Sequence, residues 1–240
     1  MVKKVLITGG ARRVGAYLCR HMAGQGKDVI IHVNTSRAAG EQLREELAAA
    51  YPQQQFAVVE ADLSDWKKMS DFINKIFASC GLPDLIIHNA SHYLKKDLQH
   101  TGDDDMERMM GIHLFSPHII GREFKKWGGK GQVITMLDAA IHSNASSHAF
   151  YLLAKKSLAE YTKMAALEWS PHIRVNGIAL GPVLPPEGKD AGYFNEVVEN
   201  SPMKSKVELE NIGDTISFFL NNENVTGQII NCDSGQHLLM

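Results

Sequence analysis

Tyr151 and Lys155 are the residues of this 240-residue chain whose types and spacing point most directly to chemistry. Lying four positions apart in a segment of helical pattern, they would share one face of a helix. A free tyrosine has a pKa near 10 and is a poor acid at neutral pH. A nearby ammonium is expected to lower that pKa by stabilising the phenolate, which would suit Tyr151 to proton transfer. In isolation, the pair could equally be a surface feature of an amphipathic helix.

The first turn of the chain has the composition of a phosphate-binding loop. An apolar run at residues 5–7 leads into the sequence TGGARRVG, and a helical segment follows. Glycines let the backbone turn tightly and approach a pyrophosphate, which then rests on the amides of the helix N-terminus. A plain strand-to-helix turn would also carry glycines, but the position after the first strand favours a dinucleotide. The candidate cofactor contacts are Gly9, Arg12, Arg13, Val14 and Gly15.

The end of the second apolar run distinguishes NAD from NADP. A carboxylate at this place would bind the 2′-hydroxyl of an NAD ribose, but no acid occurs before Glu41. An amide, hydroxyls and arginine suit a 2′-phosphate instead, although Ser36 could simply cap the next helix. The sequence therefore favours NADP(H), with contacts from Asn34, Thr35, Ser36 and Arg37.

Further candidate contacts follow later apolar runs. Asp62 could accept a hydrogen bond from the adenine amino group, or it could cap a helix. Small residues after the fourth run would let the backbone pass close to a ribose. The cofactor contacts predicted from these places are Asp62, Leu63, Asn89, Ala90, Ser91, Gly181 and Pro182.

The elements that must position these residues follow from the apolar pattern. Short runs rich in β-branched residues alternate with longer segments of helical period. Such strands, apolar throughout, predict a parallel sheet covered on both faces, the doubly wound α/β (Rossmann-type) architecture, whose ligands bind at the carboxyl ends of the strands. No linker or repeat divides residues 1–240, so we expect a single domain. The predicted strands are 5–7, 29–31, 56–59, 85–87, 133–135, 173–175 and 228–230, and the predicted helices are 15–23, 38–50, 66–77, 106–126 and 151–168.

Composition excludes several classes of protein. A net charge of −2 offers no basic footprint for nucleic acid, and no run is long enough for a signal peptide or a membrane span. The three cysteines have no ligand-like spacing, and neither do the histidines at His142 and His148, so no metal site is expected. We therefore expect a cytoplasmic protein.

Taken together, these motifs resemble the short-chain dehydrogenase/reductase superfamily over essentially the whole chain. The YxxxK motif with its flanking motifs in this order is highly specific for that family. The resemblance implies that Lys155 also holds the nicotinamide ribose, and it supports a homo-oligomer, a tetramer or a dimer. The matching residues are TGGARRVG, Asp62, His88-Asn89-Ala90, Tyr151 with Lys155, 173–177, Thr226-Gly227 and Asp233-Ser234-Gly235.

Two positions depart from the family pattern. The usual catalytic serine falls at Asp138, about a dozen residues before the tyrosine, and the usual asparagine falls at His113. A carboxylate would be repelled by a phenolate, but it could relay a proton to a basic nitrogen, which fits reduction of a C=N bond better than that of a ketone. Ser143 or Ser146 would be the alternative serine, with Asp138 a turn residue. His113 is either a cofactor contact or a structural histidine bonded to backbone.

These departures resemble pteridine reductases, among them dihydromonapterin reductases. The resemblance implies that Arg13 reaches both the cofactor phosphate and the pterin, and that Ser91 touches the cofactor. It also implies that Tyr93 stacks on the pterin ring, although Tyr93 could instead pack in its loop. The implied catalytic residues are Asp138, Tyr151 and Lys155, and the implied substrate contacts are Arg13, Ser91, Tyr93, Asp138 and Tyr151.

The sequence thus predicts NADPH-dependent reduction of a dihydropterin. The hydride would go to the electrophilic ring carbon, and Tyr151 with Asp138 would deliver a proton to the adjacent nitrogen, directly or through water. Reduction of a ketone or a 3-oxoacyl thioester is the alternative within the class. A catalytically silent NADP-binding protein is the alternative outside it. Residues 181–203 are predicted as a substrate loop, read either as a lid or as a plain surface loop.

Overall fold

The computed structural model describes residues 2–185 and 191–240, and within them one parallel sheet of seven strands forms the centre of the molecule. The strands are Lys4–Ile7 (β1), Asp28–Val33 (β2), Phe56–Glu60 (β3), Leu85–His88 (β4), Gly131–Asp138 (β5), Ile173–Leu180 (β6) and Ile229–Cys232 (β7). Their order across the sheet is β3-β2-β1-β4-β5-β6-β7. Successive strands are thus added on one side of β1 up to β3 and on its other side from β4 onward, which confirms the predicted doubly wound sheet.

Helices cover both faces of this sheet. Two of them, Ala191–Glu199 and Leu209–Asn221, follow β6 and were not among the helices named from the sequence. The helices are Arg13–Gly24 (α1), Arg37–Ala50 (α2), Met69–Cys80 (α3), Asp103–Met110 (α4), Ser116–Lys126 (α5), Ala149–Trp169 (α6), Ala191–Glu199 (α7) and Leu209–Asn221 (α8).

The alternation of side chains along β1 shows how the sheet builds two cores. Val5 and Ile7 point into the core beneath α1 and α8, whereas Leu6 points into the opposite core beneath α3, α5 and α6. All three side chains are at most 2% exposed. A strand buried on both faces must be apolar at every position, which is why the strands read as continuous apolar runs.

The segment predicted as one helix over 106–126 is divided in the structure. A π-helical segment, Gly111–Phe115, lies between α4 and α5. Gly111 packs against the backbone of Ser64, where a β-carbon would come within 2.9 Å of the carbonyl oxygen. Wider turns of this kind re-aim side chains and are frequent at functional sites.

Across residues 2–185 and 191–240, no helix is both long and apolar enough to cross a membrane. The same residues contain no group of three or more His, Cys, Asp or Glu side chains that could hold a metal ion.

Candidate active site

A cavity of about 710 Å³ lies at the carboxyl ends of the strands, beside the point where the strand order reverses. Most of the predicted site residues line it, although they come from seven separate places in the sequence. The predicted residues in its wall are Gly9, Arg12, Arg13, Val14, Gly15, Asn34, Thr35, Ser36, Asp62, Leu63, Asn89, Ala90, Ser91, Asp138, Tyr151, Lys155, Gly181 and Pro182.

The glycine loop forms a cradle that side chains would fill. Gly9 has a φ of +63°, and a β-carbon there would lie 2.9 Å from Cα of Ala90. A β-carbon on Gly15 would lie 2.0 Å from the carbonyl oxygen of Gly9. No side chain caps the N-terminus of α1, so the amides of its first turn remain available to an anion. This geometry fits the pyrophosphate of a dinucleotide.

Substitution of Gly15 by alanine is expected to weaken NADPH binding by about 100-fold or more. The added methyl group would overlap the Gly9 carbonyl and displace the loop, and a displacement of about 1 Å at such a site costs on the order of 100-fold. Titration of NADPH fluorescence measures the change. Gly24→Ala, at the other end of α1, is the matched control, because its nearest neighbour would be 3.4 Å away. Equal affinity in Gly15→Ala and wild type would contradict the cradle.

His32 supports this loop and was not predicted as a site residue. Its Nδ1 accepts a hydrogen bond from the Gly9 amide at 3.2 Å, and its Nε2 donates to the carbonyl of Ala61 at 3.1 Å. Burial lowers the pKa of His32 to about 4, so the ring is neutral and can accept at Nδ1. The one feature of the sequence that could have indicated this role is the position of His32 near the end of β2, the strand beside the one that leads into the glycine loop.

The segment that follows β2 lines the cavity with polar residues, Asn34, Thr35 and Ser36, and contributes no acid to the wall. Ser36 occupies the N-cap position of α2 without a side-chain cap bond, so its hydroxyl is not committed to that helix. The exposed side chain of Arg37 lies outside the residues that line the cavity, so its contact with the 2′-phosphate stays a prediction. Its guanidinium lies 3.2 Å from Glu60 and 3.4 Å from Glu41. Arg12 and Arg13 provide the nearby positive charge in the wall.

Asp62 caps no helix, because Asp65 holds the N-cap position of the following 3₁₀ turn, Trp66–Lys68, and the contact of Asp62 with the adenine stays a prediction. One carboxylate oxygen accepts hydrogen bonds from the amide (2.8 Å) and hydroxyl (2.7 Å) of Ser64, while the residue also lines the cavity. Hydrogen bonds from Ser64 help to lower the pKa of Asp62 against the opposing effect of burial. Arg108 of α4 is a further wall residue that the sequence reasoning missed.

Asp138 and Tyr151 are joined directly. The Tyr151 hydroxyl donates to Oδ2 of Asp138 at 2.6 Å, and Oδ1 of Asp138 accepts from the Ala140 amide at 2.8 Å. Asp138 ends β5, and Tyr151 lies in the first turn of α6, so the contact depends on how α6 packs on the sheet. Neither Ser143 nor Ser146 lines the cavity, so Asp138 occupies the place beside the tyrosine hydroxyl.

The predicted direction of the Tyr151 pKa is wrong. Burial, followed by the charge and hydrogen bond of Asp138, raises the pKa of Tyr151 well above 10, and a hydrogen bond from Ser91 only partly opposes this. The ammonium of Lys155 lies 6.0 Å from the centre of the Tyr151 ring and donates to the carbonyl of Met136 at 2.8 Å. The carboxylate at 2.6 Å therefore dominates, and Tyr151 is held in its protonated form.

Lys155 is fully enclosed beside this pair. Its side chain lines the inner wall of the cavity, and burial lowers its pKa to about 8, against the opposing effect of Asp138. The ammonium is therefore charged at neutral pH and deprotonates in mildly alkaline solution. Because Lys155 lies one helical turn after Tyr151, both groups face the same cavity.

His113 lies outside the residues that line the cavity, so its contact with the cofactor stays a prediction. The π-helical segment turns its ring behind Tyr151, edge to face at 5.6 Å between ring centres. Its Nε2 donates to the carbonyl of His92 at 3.2 Å, which agrees with the structural, backbone-bonded alternative. Burial, reinforced by the charge of Lys155, lowers the pKa of His113 to about 3.

Three buried histidines predict that the protein loses stability in acid. Burial lowers the pKa to about 4 for His32 and to about 3 for His88 and His113, against 6.5 when unfolded. The unfolded chain therefore binds more protons below pH 6.5, and the stabilisation present above that pH declines toward pH 4. Each histidine accounts for roughly 3 kcal/mol over this interval.

Denaturant unfolding between pH 7.5 and 4.5 measures this loss. His88→Leu is expected to reduce the slope of unfolding free energy against pH by about one proton, because neither ring nitrogen of His88 has a hydrogen-bond partner among the described residues. His172→Gln changes an exposed histidine and is expected to leave the slope unchanged. An identical slope in His88→Leu and wild type would refute the assignment.

The remaining predicted substrate residues lie beside the cavity or cross it. Tyr93 is 57% exposed, and its ring stands edge to face with Tyr151 at 5.0 Å, outside the residues that line the wall. Arg13 donates to the carbonyls of Leu184 (3.3 Å) and Pro185 (2.8 Å), and so connects the glycine loop to the segment after β6. Part of the predicted substrate loop, residues 186–190, lies outside the described residues.

Comparison with known proteins gives matches over nearly the whole chain. The family model described as enoyl-(acyl carrier protein) reductase matches residues 9–237. The dihydromonapterin reductase of Shigella boydii serotype 4 is 28% identical over 239 residues, which are 98% of this chain and 96% of that protein.

Solved structures give the same picture. FolM alternative dihydrofolate reductase 1 from Brucella suis, crystallised with NADP, has a TM-score of 0.93 at 31% identity and covers 99% of this chain and 97% of that one. The Brucella canis protein of the same name, also with NADP, has a TM-score of 0.92 at 30% identity, with coverage of 98% and 94%.

Proposed function

Because the chain belongs to the short-chain dehydrogenase/reductase family, we propose that it reduces dihydropterins with NADPH, using Tyr151 as the proton donor. It is an NADP-dependent oxidoreductase. The observation that carries the pterin proposal is the 2.6 Å hydrogen bond from Tyr151 to Asp138, a carboxylate where carbonyl-reducing members of the family mostly have serine. The names of the relatives, dihydromonapterin reductase and FolM alternative dihydrofolate reductase 1, support the same substrate class.

Different residues of the cavity wall are proposed to bind the phosphates and the nicotinamide ribose of the cofactor. The glycine cradle and the uncapped first turn of α1 suit the pyrophosphate, and the acid-free segment Asn34, Thr35 and Ser36 suits the 2′-phosphate of NADP. Lys155, which lines the cavity, is proposed to hold the nicotinamide ribose. When bound, NADPH supplies the hydride.

The catalytic residues manage the proton. Tyr151 stays protonated because its hydroxyl is buried beside Asp138, so it carries a proton ready for the substrate nitrogen. As the nitrogen gains electron density it becomes a stronger base, and Tyr151 donates to it while the charge of Lys155 stabilises the resulting phenolate. Asp138 shares the same proton and returns one to Tyr151 from solvent, directly or through water. Reduction of a ketone would instead require the proton at an oxygen, because a ketone has no basic ring nitrogen.

Three residues are proposed to hold the substrate around that pair. Ser91 lines the cavity and hydrogen-bonds to Tyr151, and it is proposed to contact both cofactor and substrate. Tyr93, edge to face with Tyr151, is proposed to stack on the pterin ring. Arg13 is proposed to reach the cofactor phosphate and the pterin from the loop it already bridges.

NADPH oxidation followed by absorbance tests the proposal, with a panel of dihydropterins beside a panel of ketones and 3-oxoacyl thioesters. Turnover of dihydropterins at least about 100-fold faster in kcat/KM than any carbonyl is the expected result. Turnover of carbonyls alone would make the protein a carbonyl reductase with the same cofactor. NADPH binding without turnover of either panel would favour a non-catalytic NADP-binding protein. The cytoplasmic location remains a prediction.

We also propose that the chain forms a homo-oligomer through α5 and α6. Apolar side chains on the outer face of α6 are exposed, with Leu153 at 45%, Met164 at 70% and Leu167 at 86%. The groove between α5 and α6 carries charges of both signs, so a second copy related by a two-fold axis can pair oppositely charged side chains across it.

Met164→Glu is expected to give monomers in sedimentation velocity, because it places a charge in the proposed interface. Met203→Glu, at a methionine that is equally exposed elsewhere, should not change the oligomeric state. A wild-type monomer at micromolar concentration would refute this proposal.

A further inference from the structure

A tightly bonded turn follows the last strand and has no part in the function described so far. Asp233 comes directly after β7, and its carboxylate is only 1% exposed. The carboxylate accepts hydrogen bonds from the Gly235 amide (3.0 Å), the His237 amide (2.7 Å) and His237 Nδ1 (2.7 Å). Between them, Ser234 has a φ of +54°, a left-handed conformation that non-glycine residues rarely adopt. The turn is therefore held in one defined conformation.

This turn packs against two segments that lead away from the active-site cavity, one beginning at Gly181 and one beginning after Asp138. A β-carbon on Gly181, at the start of the segment after β6, would lie 2.6 Å from Cα of Asp233. The His237 ring lies 5.6 Å from that of His142, which ends the 3₁₀ turn that begins directly after Asp138. The position of the turn is thus set relative to both Asp138 and the segment at Gly181.

Gln236 is the residue that this turn presents to the cavity. It opens the 3₁₀ turn Gln236–Leu239 and is the member of that turn that lines the cavity wall. Its backbone amide donates to the carbonyl of Asp233 at 3.0 Å, which fixes its position in the turn. Its side-chain amide makes no hydrogen bond to any described residue. The donor and acceptor of this amide are therefore available to a ligand.

We propose that Gln236 is a substrate-specificity residue that pairs with the hydrogen-bonding edge of the pterin. This inference rests on the proposed function. The edge of a pterin places amino and ring N–H donors beside a carbonyl and ring-nitrogen acceptors, and a primary amide can pair with such an edge through two hydrogen bonds. A small ketone has no edge of this kind. Asp233 and His237 are positioning residues, because they fix the turn that carries Gln236.

Gln236→Leu tests the pairing, because leucine fills a similar volume without the amide. We expect the KM for a dihydropterin to rise about 10- to 30-fold, with kcat within about threefold of wild type and unchanged NADPH affinity. A dihydropterin analogue without the 2-amino group should show a much smaller rise in the same variant. Gln53→Leu, at an exposed turn before β3, is the matched control and should leave all three quantities unchanged.

Three outcomes would overturn the inference while leaving the proposed function intact. They are an unchanged dihydropterin KM in Gln236→Leu, an equal rise for the analogue without the amino group, and a loss of NADPH affinity in place of the KM effect. A loss of NADPH affinity would mean that Gln236 hydrogen-bonds to the nicotinamide carboxamide of the cofactor and not to the pterin. Failure of the wild-type protein to reduce any dihydropterin would instead reject the proposed function, and this inference with it.

Discussion

Replacing Tyr151 by phenylalanine is expected to lower kcat for a dihydropterin by about 10²- to 10⁴-fold. The substitution removes the hydroxyl that carries the transferable proton and that donates to Asp138 at 2.6 Å. It keeps the ring contacts with Tyr93 and His113, so the packing of α6 should not change. NADPH affinity should therefore stay within about threefold of wild type. Steady-state NADPH oxidation and fluorescence titration measure the two quantities.

The matched control for this experiment is Tyr51→Phe, which removes a hydroxyl at the end of α2, far from the cavity wall. It should retain wild-type turnover. If Tyr151→Phe kept more than about a tenth of the wild-type kcat, the proton would have to come from another group. Asp138 would then be the first alternative proton donor, because its carboxylate lies 2.6 Å from the Tyr151 hydroxyl. The double variant Tyr151→Phe with Asp138→Asn would show whether the remaining activity depends on Asp138.

Replacing Asp138 by asparagine is expected to lower kcat for a dihydropterin by about 100-fold or more and to change its pH dependence. Asp138 raises the pKa of both Tyr151 and Lys155, so its removal lowers both. Tyr151 is active as the acid and Lys155 as the cation, and both forms are lost as pH rises through the pKa of the group. The alkaline limb of the kcat profile should therefore move to lower pH in Asp138→Asn.

This shift separates a chemical role of Asp138 from a merely structural one. A variant that only loosened the end of β5 would lose activity equally at every pH. Asp71→Asn, an exposed carboxylate of α3, should leave both kcat and the profile unchanged. Full dihydropterin turnover in Asp138→Asn would reject the role proposed here. In that case the carboxylate at this position would carry no information about the substrate.

The pH range of these measurements is bounded on the acid side by the buried histidines. His32, His88 and His113 remain neutral in the folded protein far below pH 6.5, so unfolding competes with catalysis in acid. An apparent acid limb of activity would therefore need to be compared with the unfolding curve at the same pH. The alkaline limb, where the Asp138 effect is expected, is free of this contribution.

The cofactor half of the cavity could be predicted from the sequence alone. The glycine loop needs small residues at fixed places because Gly9 and Gly15 lie against backbone atoms, and such a demand shows directly in the sequence. Each polar contact follows a continuous apolar strand, and parallel strands bring their carboxyl ends to one edge. Local composition thus determined the sheet, the dinucleotide cradle and the acid-free segment that suits NADP.

Only the tertiary structure decided how the reacting groups influence one another. The four-residue spacing places Lys155 near Tyr151, but the depth of α6 against β5 puts the Asp138 carboxylate closer and so reverses the pKa shift of the phenol. The guanidinium of Arg37 lies 3.2 Å from Glu60, a partner from another element that the sequence does not place beside it. Electrostatic effects depend on distance and burial in space, which separation along the chain does not give.

The same reason explains the residues that sequence reasoning missed. The π-helical segment that turns His113 behind Tyr151 arises where Gly111 packs on Ser64, and its sequence reads as a continuous helix. Gln236 directly follows the Asp233-Ser234-Gly235 motif, but the motif does not show that the next residue lines the cavity. The close contact of Asp233 with Gly181 brings this turn to the cavity wall. The sequence determined which strands and helices form and which of their ends bind a nucleotide, because the residue types that a strand, a helix or a glycine loop requires are set by local backbone geometry. Packing decided which side chains meet there, because those contacts join distant parts of the chain.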